Sequence, residues 1–502
     1  MQRRSFIKLS SLAILPLLAG CHLGSRKEIE FAFDIELISD HKTGHLVRNG
    51  YHFPREVMPE KEWLVVGGGI AGMAAACTLK NENMALFELS KQLGGSSAAL
   101  QWQENFFAQG AHYDLAYPEY YGKEVLAFLK NLGVIYHDKK AKHWSFSDKK
   151  YLISSNRESL CFTNKKYQND VLPEGPLQQG FLKLLSRQEG KMPLPTRLIN
   201  EDLHYLNEID FLSYLRKYFN LTPDFVRAID YHMRDDYGAN AHQVSALAGI
   251  HYYMCRPYYR ENVPLFSPPE GNFYFIKKMA AQIAPEKIHT QHLVAGIKKE
   301  NGQLLTEVID IKNKKLKIFP SKRIIYAGHK HALKHIYPEG YQHFKSNEYA
   351  PWLVINFILK ENSLDTAFWQ NEFIDEDARF LGFIDSYAQY QQNNAPRVLT
   401  AYYCFDPEHR TQLLEMDRYA KALVQSSIEA MNLRFEKDIS PLIEKASIKL
   451  MGHAMPIPSP NYLLKPSPSS DNIAYAGVDC FRLPLFFEAL DSGLQAVSQL
   501  KK

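Results

Sequence analysis

The stretch "WLVVGGGIAGMAAACTLKNENMALFELSKQLGGSS", Trp63–Ser97, decides the fold of this chain. A short apolar run precedes six residues, 67–72, that satisfy the pattern G-x-G-x-x-G. The Ala- and Leu-rich residues Met73 to Lys80 predict a helix, and Met84 to Phe87 predict a second buried strand that ends in Glu88. Strand, glycine turn, helix and strand stand in the order of a βαβ unit that binds a dinucleotide.

Each residue type in this turn has a physical purpose. Gly67 permits the tight turn, Gly69 lets a pyrophosphate approach the backbone, and Gly72 lets the helix pack closely on the strand. The free N–H groups of the first helical turn attract the anion, and Glu88 lies about 20 residues on, where a ribose hydroxyl acceptor is expected. The predicted dinucleotide contacts are Gly67, Gly69, Ile70, Ala71, Gly72 and Glu88.

Three further segments extend this pattern along the chain. "LGGSS" (93–97) closes the first unit, "RIIYAGHKHAL" predicts a strand from Arg323, and "NIAYAGVDCFRLPLFFEALDSGLQAV" ends the chain with a strand, a turn and a helix. With these motifs the chain resembles the flavin-containing amine oxidases and phytoene-desaturase-like oxidoreductases. The resemblance implies FAD rather than NAD, because the Gly-Asp turn and the helix start at Ser492-Gly493 would meet the same cofactor as the N-terminal motif. The contacts it implies are Gly94, Gly95, Ser96, Gly110, Ala111, His112, Val294, Gly477, Asp479 and Gly493.

The resemblance also predicts the domain plan, an α/β fold. A discontinuous Rossmann-like FAD-binding domain would carry an inserted mixed α+β substrate domain. The predicted plan comprises an export signal (1–21), a tether and edge segment (22–61), a cofactor domain in three pieces (62–130, 266–345 and 450–502) and a substrate domain in two (131–265 and 346–449).

The chemistry would be mostly that of the cofactor, which accepts a hydride from a C–H bond next to N, O or C. His453 in the loop "GHAM" is the candidate for an acid/base or orienting role, although a buried, hydrogen-bonded histidine is an equal interpretation. The strand "PWLVINFILK" offers Asn356 where related amine oxidases place a lysine. This difference leaves open a dehydrogenase, or a desaturase or isomerase of a polyene-like substrate. A non-catalytic FAD-fold binding or assembly protein is the competing class.

The N-terminus predicts where the protein works. Arg3-Arg4 and an apolar run from Leu12 to Ala19 resemble a twin-arginine export signal, and Leu18 to Cys21 resembles a bacterial lipobox. We therefore expect recognition by the twin-arginine export machinery, a lipid on Cys21 and a periplasmic protein anchored to a membrane, with the outer membrane slightly favoured. An ordinary N-terminal anchor helix is the alternative.

The net charge and the spacing of the cysteines argue against several other classes of protein. The net charge of +4 is not concentrated in a tail, so nucleic acid is not an expected partner. The cysteines after Cys21 are far apart and contain no C-x-x-C, so neither a disulfide framework nor a metal site is predicted. Asp235-Asp236 would cap the following helix or, less favoured, bind a cation. The expected partners are a small-molecule substrate and oxygen or a quinone as electron acceptor.

Overall fold

The computed structural model describes residues 29–110, 118–140, 142–153, 159–163, 166–168, 170–255, 265–364, 368–374, 379–389, 396–470 and 472–501. The predicted export signal with Cys21 lies outside these residues, as do Ala111 and His112. Among the helices in the described ranges, none combines the length and apolarity needed to cross a bilayer.

The strands, in chain order, are β1 (Asp34–Ile38), β2 (Arg55–Val57), β3 (Lys61–Val66), β4 (Met84–Phe87), β5 (Ala99–Trp102), β6 (Asn105–Ala108), β7 (Ile135–Asp138), β8 (His143–Phe146), β9 (Leu152–Ile153), β10 (Ser159–Thr163), β11 (Lys166–Gln168), β12 (Leu265–Phe266), β13 (Ile288–His289), β14 (His292–Glu300), β15 (Gln303–Asp310), β16 (Lys315–Tyr326), β17 (Tyr349–Leu359), β18 (Gln370–Ile374), β19 (Phe380–Asp385), β20 (Val398–Cys404), β21 (Ile443–Pro456) and β22 (Ile473–Tyr475).

The α-helices are α1 (His41–Gly44), α2 (Leu46–Asn49), α3 (Ile70–Thr78), α4 (Lys123–Asn131), α5 (Pro176–Ser186), α6 (Phe211–Arg216), α7 (Pro223–Tyr237), α8 (Ala246–Cys255), α9 (Phe273–Ala280), α10 (Leu333–Ile336), α11 (Pro338–Tyr341), α12 (Ser386–Gln389), α13 (Met416–Phe435) and α14 (Phe486–Lys501).

A first sheet, the cofactor sheet, contains the predicted βαβ unit. Its order is β13-β4-β3-β16-β15-β14, and β2 and β22 also pair with the long strand β16. The strands β13, β4, β3, β16 and β22 pair in parallel, as the buried apolar runs of β3 and β4 predict. The hairpin of β14 and β15 turns at Asn301-Gly302, both with positive φ, as expected for a two-residue turn. The fold class is therefore the predicted α/β class.

A second sheet, the substrate sheet, has the order β1-β21-β17-β20-β19-β18-β10-β11. Its central strand β17 is buried along its whole length because both faces are covered. Ala350, Trp352 and Val354 pack toward the core that is shared with the cofactor sheet, whereas Leu353 and Ile355 face a separate core that includes helix α13. Period-2 alternation therefore assigns one face of this sheet to the cofactor side.

Two details of the domain plan follow from the sheets. The described part of the segment expected to be a tether, residues 29–61, pairs with both sheets: β1 is the edge strand beside β21, and β2 pairs with β16. The expected boundary between residues 449 and 450 falls inside β21, which pairs with β17 as far as Pro456. Residues 450–456, which were expected to belong to the cofactor domain, thus lie in a strand of the substrate sheet.

The expectation for Asp235-Asp236 is wrong. Both residues lie in the last turn of α7 and do not precede a helix. Thr222 caps the N-terminus of this helix, because its hydroxyl accepts a hydrogen bond from the Phe225 N–H. Gly238, in the left-handed conformation, caps the C-terminus. The pair "YG" after the two acids is thus the end of a helix and not the start of one.

Candidate functional site

The glycine turn of the cofactor sheet has the close contacts that its pattern predicts. Gly67 has φ +99°, and a β-carbon there would lie 2.9 Å from the backbone of Ala327 on the neighbouring strand end. A β-carbon on Gly72 would overlap the carbonyl oxygen of Gly67. Both positions therefore require glycine for the turn and for the approach of α3 to the sheet.

Gly69 differs from these two because it has free space in front of it. Among the described residues, a β-carbon at Gly69 would meet only the carbonyl oxygen of Gly94, at 3.7 Å, and one at Gly95 would meet only the α-carbon of Gly69, also at 3.7 Å. Gly69 is the N-cap residue of α3, so the unpaired N–H groups of that helix point toward this space, and Ile70 and Ala71 form its first turn. Gly95 and Ser96 are exposed. An anionic group such as a pyrophosphate fits this opening.

Glu88 lies at the end of β4, buried and held by the backbone. One carboxylate oxygen accepts a hydrogen bond from the Gly68 N–H (2.7 Å), and the other accepts one from the Ser90 N–H (2.8 Å). A carboxylate has about four acceptor positions, so two remain for ribose hydroxyls. Burial raises the pKa of Glu88, while the two N–H groups oppose that shift. The residue therefore fits a ribose site.

The C-terminal turn carries the second part of the predicted cofactor site. Gly477 has φ +130°, and its N–H donates to the Ser492 hydroxyl (2.8 Å). The Asp479 carboxylate accepts hydrogen bonds from the Lys330 N–H (2.8 Å), the Lys330 ammonium group (3.0 Å) and the Tyr349 hydroxyl (3.2 Å). Burial lowers the pKa of Lys330, but Asp479 outweighs it and the pKa of the lysine is raised. The side chain of Asp479 thus has protein partners, which sequence reasoning did not foresee.

Gly493 lies elsewhere than expected. It is in the interior of α14, which begins at Phe486, and not at the start of that helix. A β-carbon on Gly493 would overlap the carbonyl oxygen of Ala71 in α3. This glycine therefore permits close packing of two helices, and its expected cofactor contact stays a prediction.

The loop after β6 contacts the face of the substrate sheet that is directed toward the cofactor sheet. Asn356 is fully buried, and its amide donates to the Ala108 carbonyl (2.9 Å) and the Thr400 hydroxyl (3.0 Å). The Tyr402 hydroxyl donates to the carbonyl of Gly110 (3.4 Å), and a β-carbon on Gly110 would overlap the Ser96 carbonyl. Within the described residues the Oδ1 atom of Asn356 has no hydrogen-bond partner. A buried acceptor therefore lies beside the loop that leads from the phosphate opening.

His453 lies near the end of β21, far from the part of that strand that pairs with Asn356 of β17. Asn356 pairs with Ser447, six residues before His453, which is about 20 Å along an extended strand. The His453 ring stacks on His331 at 3.5 Å with an interplanar angle of 14°, and Tyr349 contacts both rings by its edge. Burial, together with His329 and Arg410, lowers the pKa of His453 to about 3. The two candidate catalytic residues are thus not brought together, and His453 is neutral near pH 7.

Val294 lies on β14, buried and paired with Val308 beside a register shift. The carbonyl of Glu88 accepts a hydrogen bond from the His292 N–H (2.8 Å), so β14 begins next to the candidate ribose site. The expected position of Val294 near the adenosine end is therefore compatible with the structure.

The NAD(P)-binding Rossmann-like domain family matches residues 65–132, the region of the glycine turn. The comparison with curated protein sequences gives no significant match. Among solved structures, putrescine oxidase bound to putrescine aligns with TM-score 0.62 and 12% identity, over 89% of this chain and 100% of that one. The fold is that of the FAD-dependent amine oxidases.

Two further structures extend this likeness. Cyclohexylamine oxidase from Brevibacterium oxydans IH-35A has TM-score 0.60 and 12% identity, covering 88% of this chain and 100% of its own. A putative protoporphyrinogen oxidase from Exiguobacterium sp. 255-15 has TM-score 0.58 and 13% identity, covering 88% and 99%. Because enzymes of different substrates match about equally well, the likeness establishes the architecture and leaves the substrate to the site itself.

Proposed function

We propose that this protein is an exported FAD-dependent oxidoreductase of the amine oxidase type, which transfers a hydride from a small organic substrate to the flavin. The observation that carries the proposal is the opening between Gly69 and Gly95, with a pre-oriented Glu88 at one end. The Gly477 turn is tied through Ser492 to the last helix, which packs at Gly493 on the helix that follows Gly69. A site built from both ends of the chain suits a long dinucleotide such as FAD.

Each part of the site has a proposed task. The backbone at Gly69 and Gly95 would hold the pyrophosphate, and the two free acceptor positions of Glu88 would bind the ribose. FAD would supply the hydride acceptor. The buried Oδ1 atom of Asn356 would accept a hydrogen bond at the edge of the ring or the substrate and so orient it. Oxygen or a quinone would take the electrons.

The substrate is an amine or a molecule with a reactive C–C or C–O bond. Within the strand Tyr349–Leu359 the side chains on the cofactor side are apolar or neutral, namely Ala350, Trp352, Val354 and Asn356. That strand offers no charged group to a cationic amine. This favours the second candidate function, oxidation, desaturation or isomerisation of a polyene-like substrate, over simple amine oxidation.

The proposed location is the periplasmic side of a bacterial membrane. It rests on the sequence of the first 21 residues, with the arginine pair ahead of an apolar run and Cys21 at its end. The twin-arginine route carries folded proteins, which suits a chain that takes up its cofactor before export. A lipid on Cys21 would hold the protein near membrane quinones.

The decisive experiment is anaerobic reduction of the purified flavoprotein with panels of amines, amino acids, polyenes and quinols. Loss of the yellow colour with one class at a rate consistent with turnover would support an oxidoreductase and identify its substrates. Stoichiometric flavin that no member reduces at a useful rate would instead support a non-catalytic FAD-fold protein.

A further inference from the structure

The N-terminal segment 29–60 pairs with one strand of each sheet. Its first strand pairs in parallel with β21 of the substrate sheet, from Asp34↔Lys445 to Ile38↔Lys449. Its last strand pairs in parallel with β16 of the cofactor sheet. The short helices α1 and α2 lie between these two strands. We call residues 29–60 the strap, because they cross from one sheet to the other.

The strap passes over the candidate ribose site. The Asp40 carboxylate accepts a hydrogen bond from the Ser90 hydroxyl (2.6 Å), and the Ser90 N–H in turn donates to Glu88 (2.8 Å). A β-carbon on Gly44 would lie 3.6 Å from a methyl group of Leu89. After burial and its hydrogen bonds, the nearby charge of Asp40 is a further influence that raises the pKa of Glu88. The strap therefore contacts Leu89 and Ser90, the two residues that follow Glu88.

Apolar contacts continue this path along the start of β14. Strap residues of α2 and of the chain after it pack on a small buried cluster that flanks Val294. The strap side of this contact is formed by Leu46, Val47, Tyr51 and Phe53, and the other side by Leu89, Leu293, Ala295, Ile309, Leu316 and Ile318. The Tyr51 hydroxyl also donates to Glu307 on β15 (2.9 Å). The strap thus packs on the strand that carries Val294, the residue expected near the adenosine end of the cofactor.

These contacts are shallow. No residue from 29 to 60 is fully buried, whereas Trp63 to Val66 directly after it are all buried. A segment with few buried contacts opens at a lower free energy than the core. We therefore expect the strap to open at a lower free energy than the central strands of the two sheets.

We propose that the strap closes over the adenosine half of the bound FAD and controls cofactor exchange. This inference rests on the proposed function, because it requires FAD in the dinucleotide site. FAD would enter while the strap is detached, and docking of the strap would then slow its release. By thermodynamic linkage, bound FAD must stabilise the docked strap by the same factor by which the docked strap favours FAD.

The first test uses the purified full chain, loaded with FAD and then stripped of it. Trypsin can cleave after Lys42 and Arg48, two exposed residues of the strap. We expect FAD to slow cleavage at these two sites at least fivefold relative to the stripped protein. FMN, which lacks the adenosine half, is the matched ligand and should leave the cleavage rate unchanged.

The second test compares two variants with the same change in charge. Val47→Asp places a carboxylate in the apolar contact, and Asn49→Asp places one on the exposed side of the same short helix. Release of flavin into the filtrate of the holoprotein should be at least tenfold faster for Val47→Asp and within twofold of wild type for Asn49→Asp.

The outcomes distinguish a failure of the proposed FAD binding from a failure of the proposed role of the strap. A chain that binds no FAD overturns the proposed function and, with it, the role of the strap. A chain that binds FAD but shows equal cleavage of the strap with and without it overturns the strap alone. The same conclusion follows if Val47→Asp is cleaved faster than wild type yet releases flavin at the wild-type rate.

Discussion

The ammonium group of Lys330 lies 3.0 Å from a carboxylate oxygen of Asp479, and the Lys330 side chain has no exposed surface. The same ammonium donates to the carbonyls of Gly328 (2.9 Å) and Ala476 (2.7 Å), which follow the neighbouring parallel strands β16 and β22. A single buried cation thus connects both strand ends to the Gly477 turn. It positions the C-terminal part of the candidate cofactor site.

The first prediction concerns this ion pair. Lys330→Met should lower the free energy of unfolding by about 3–5 kcal/mol, because it leaves a buried carboxylate without its counter-ion. Denaturant unfolding of the stripped protein measures this. Lys334→Met, at an exposed lysine four residues on, is the control and should change stability little. The double variant Lys330→Met/Asp479→Leu should recover part of the loss, and a double variant less stable than Lys330→Met would contradict a dominant electrostatic role.

The second prediction separates two glycines of the turn. Gly69→Val should leave the fold intact and abolish flavin binding, because its side chain enters the open space between Gly69 and Gly95. Gly72→Val should abolish flavin binding and also destabilise the protein, because position 72 has no room beside Gly67. Flavin absorbance per chain and the thermal midpoint measure the two effects. Normal flavin content in Gly69→Val would refute the assigned pyrophosphate site.

The third prediction is a pH dependence of stability that comes from the stacked histidines. Burial lowers the pKa of His331 far below 6.5 and that of His453 to about 3 in the folded protein. Because the pKa of each ring is lower in the folded protein than in the unfolded chain, the unfolded chain binds protons more readily. The stability associated with the neutral, buried histidines is therefore complete above pH 6.5 and is lost as the pH falls toward 3.

For His453 alone the loss between pH 7.5 and pH 5 should be about 2 kcal/mol of unfolding free energy. Denaturant titrations at both pH values measure it. His453→Gln should reduce the difference between the two pH values. Equal pH slopes for wild type and His453→Gln would show that this ring has no such effect.

The fourth prediction is that the flavin is bound without a covalent link. Cys480 follows the C-terminal turn, but it is buried, and burial raises the pKa of its thiol to about 11. The thiolate needed for a thioether is therefore scarce at neutral pH. Acid precipitation should leave the protein pellet colourless and all flavin in the supernatant. Flavin that stays with the pellet would point to a covalent bond.

The fifth prediction concerns location. Cys21→Ser should either block processing or release the protein from the membrane, because the lipid chains are the proposed anchor. Arg3-Arg4→Lys-Lys should retain the protein in the cytoplasm. Cell fractionation with antibody detection measures both. If correctly processed Cys21→Ser protein still sediments wholly with membranes, another part of the chain binds them.

The glycine turn and the hairpin at Asn301-Gly302 could be predicted from sequence because their backbone geometry admits few residue types. Gly67 and Gly72 have no room for a side chain, and a strand of Val and Leu next to them is read directly as buried. The order of these local signals along the chain predicted the α/β class and the dinucleotide site. Asn356 on β17 was predicted from the resemblance to the amine oxidases, which place a lysine on this strand.

Contacts between distant residues could not be read from the sequence. Lys330 and Asp479 are 149 positions apart, and Asn356 meets Ala108 across 248 positions. The strap pairs Asp34 with Lys445 through backbone hydrogen bonds, which carry no residue code. The family resemblance implied a helix start at Gly493, and only the structure shows that this glycine lies inside α14 and packs against Ala71. Local backbone constraints thus determined the fold and the phosphate turn, whereas tertiary packing decided which charges, rings and edges meet around it.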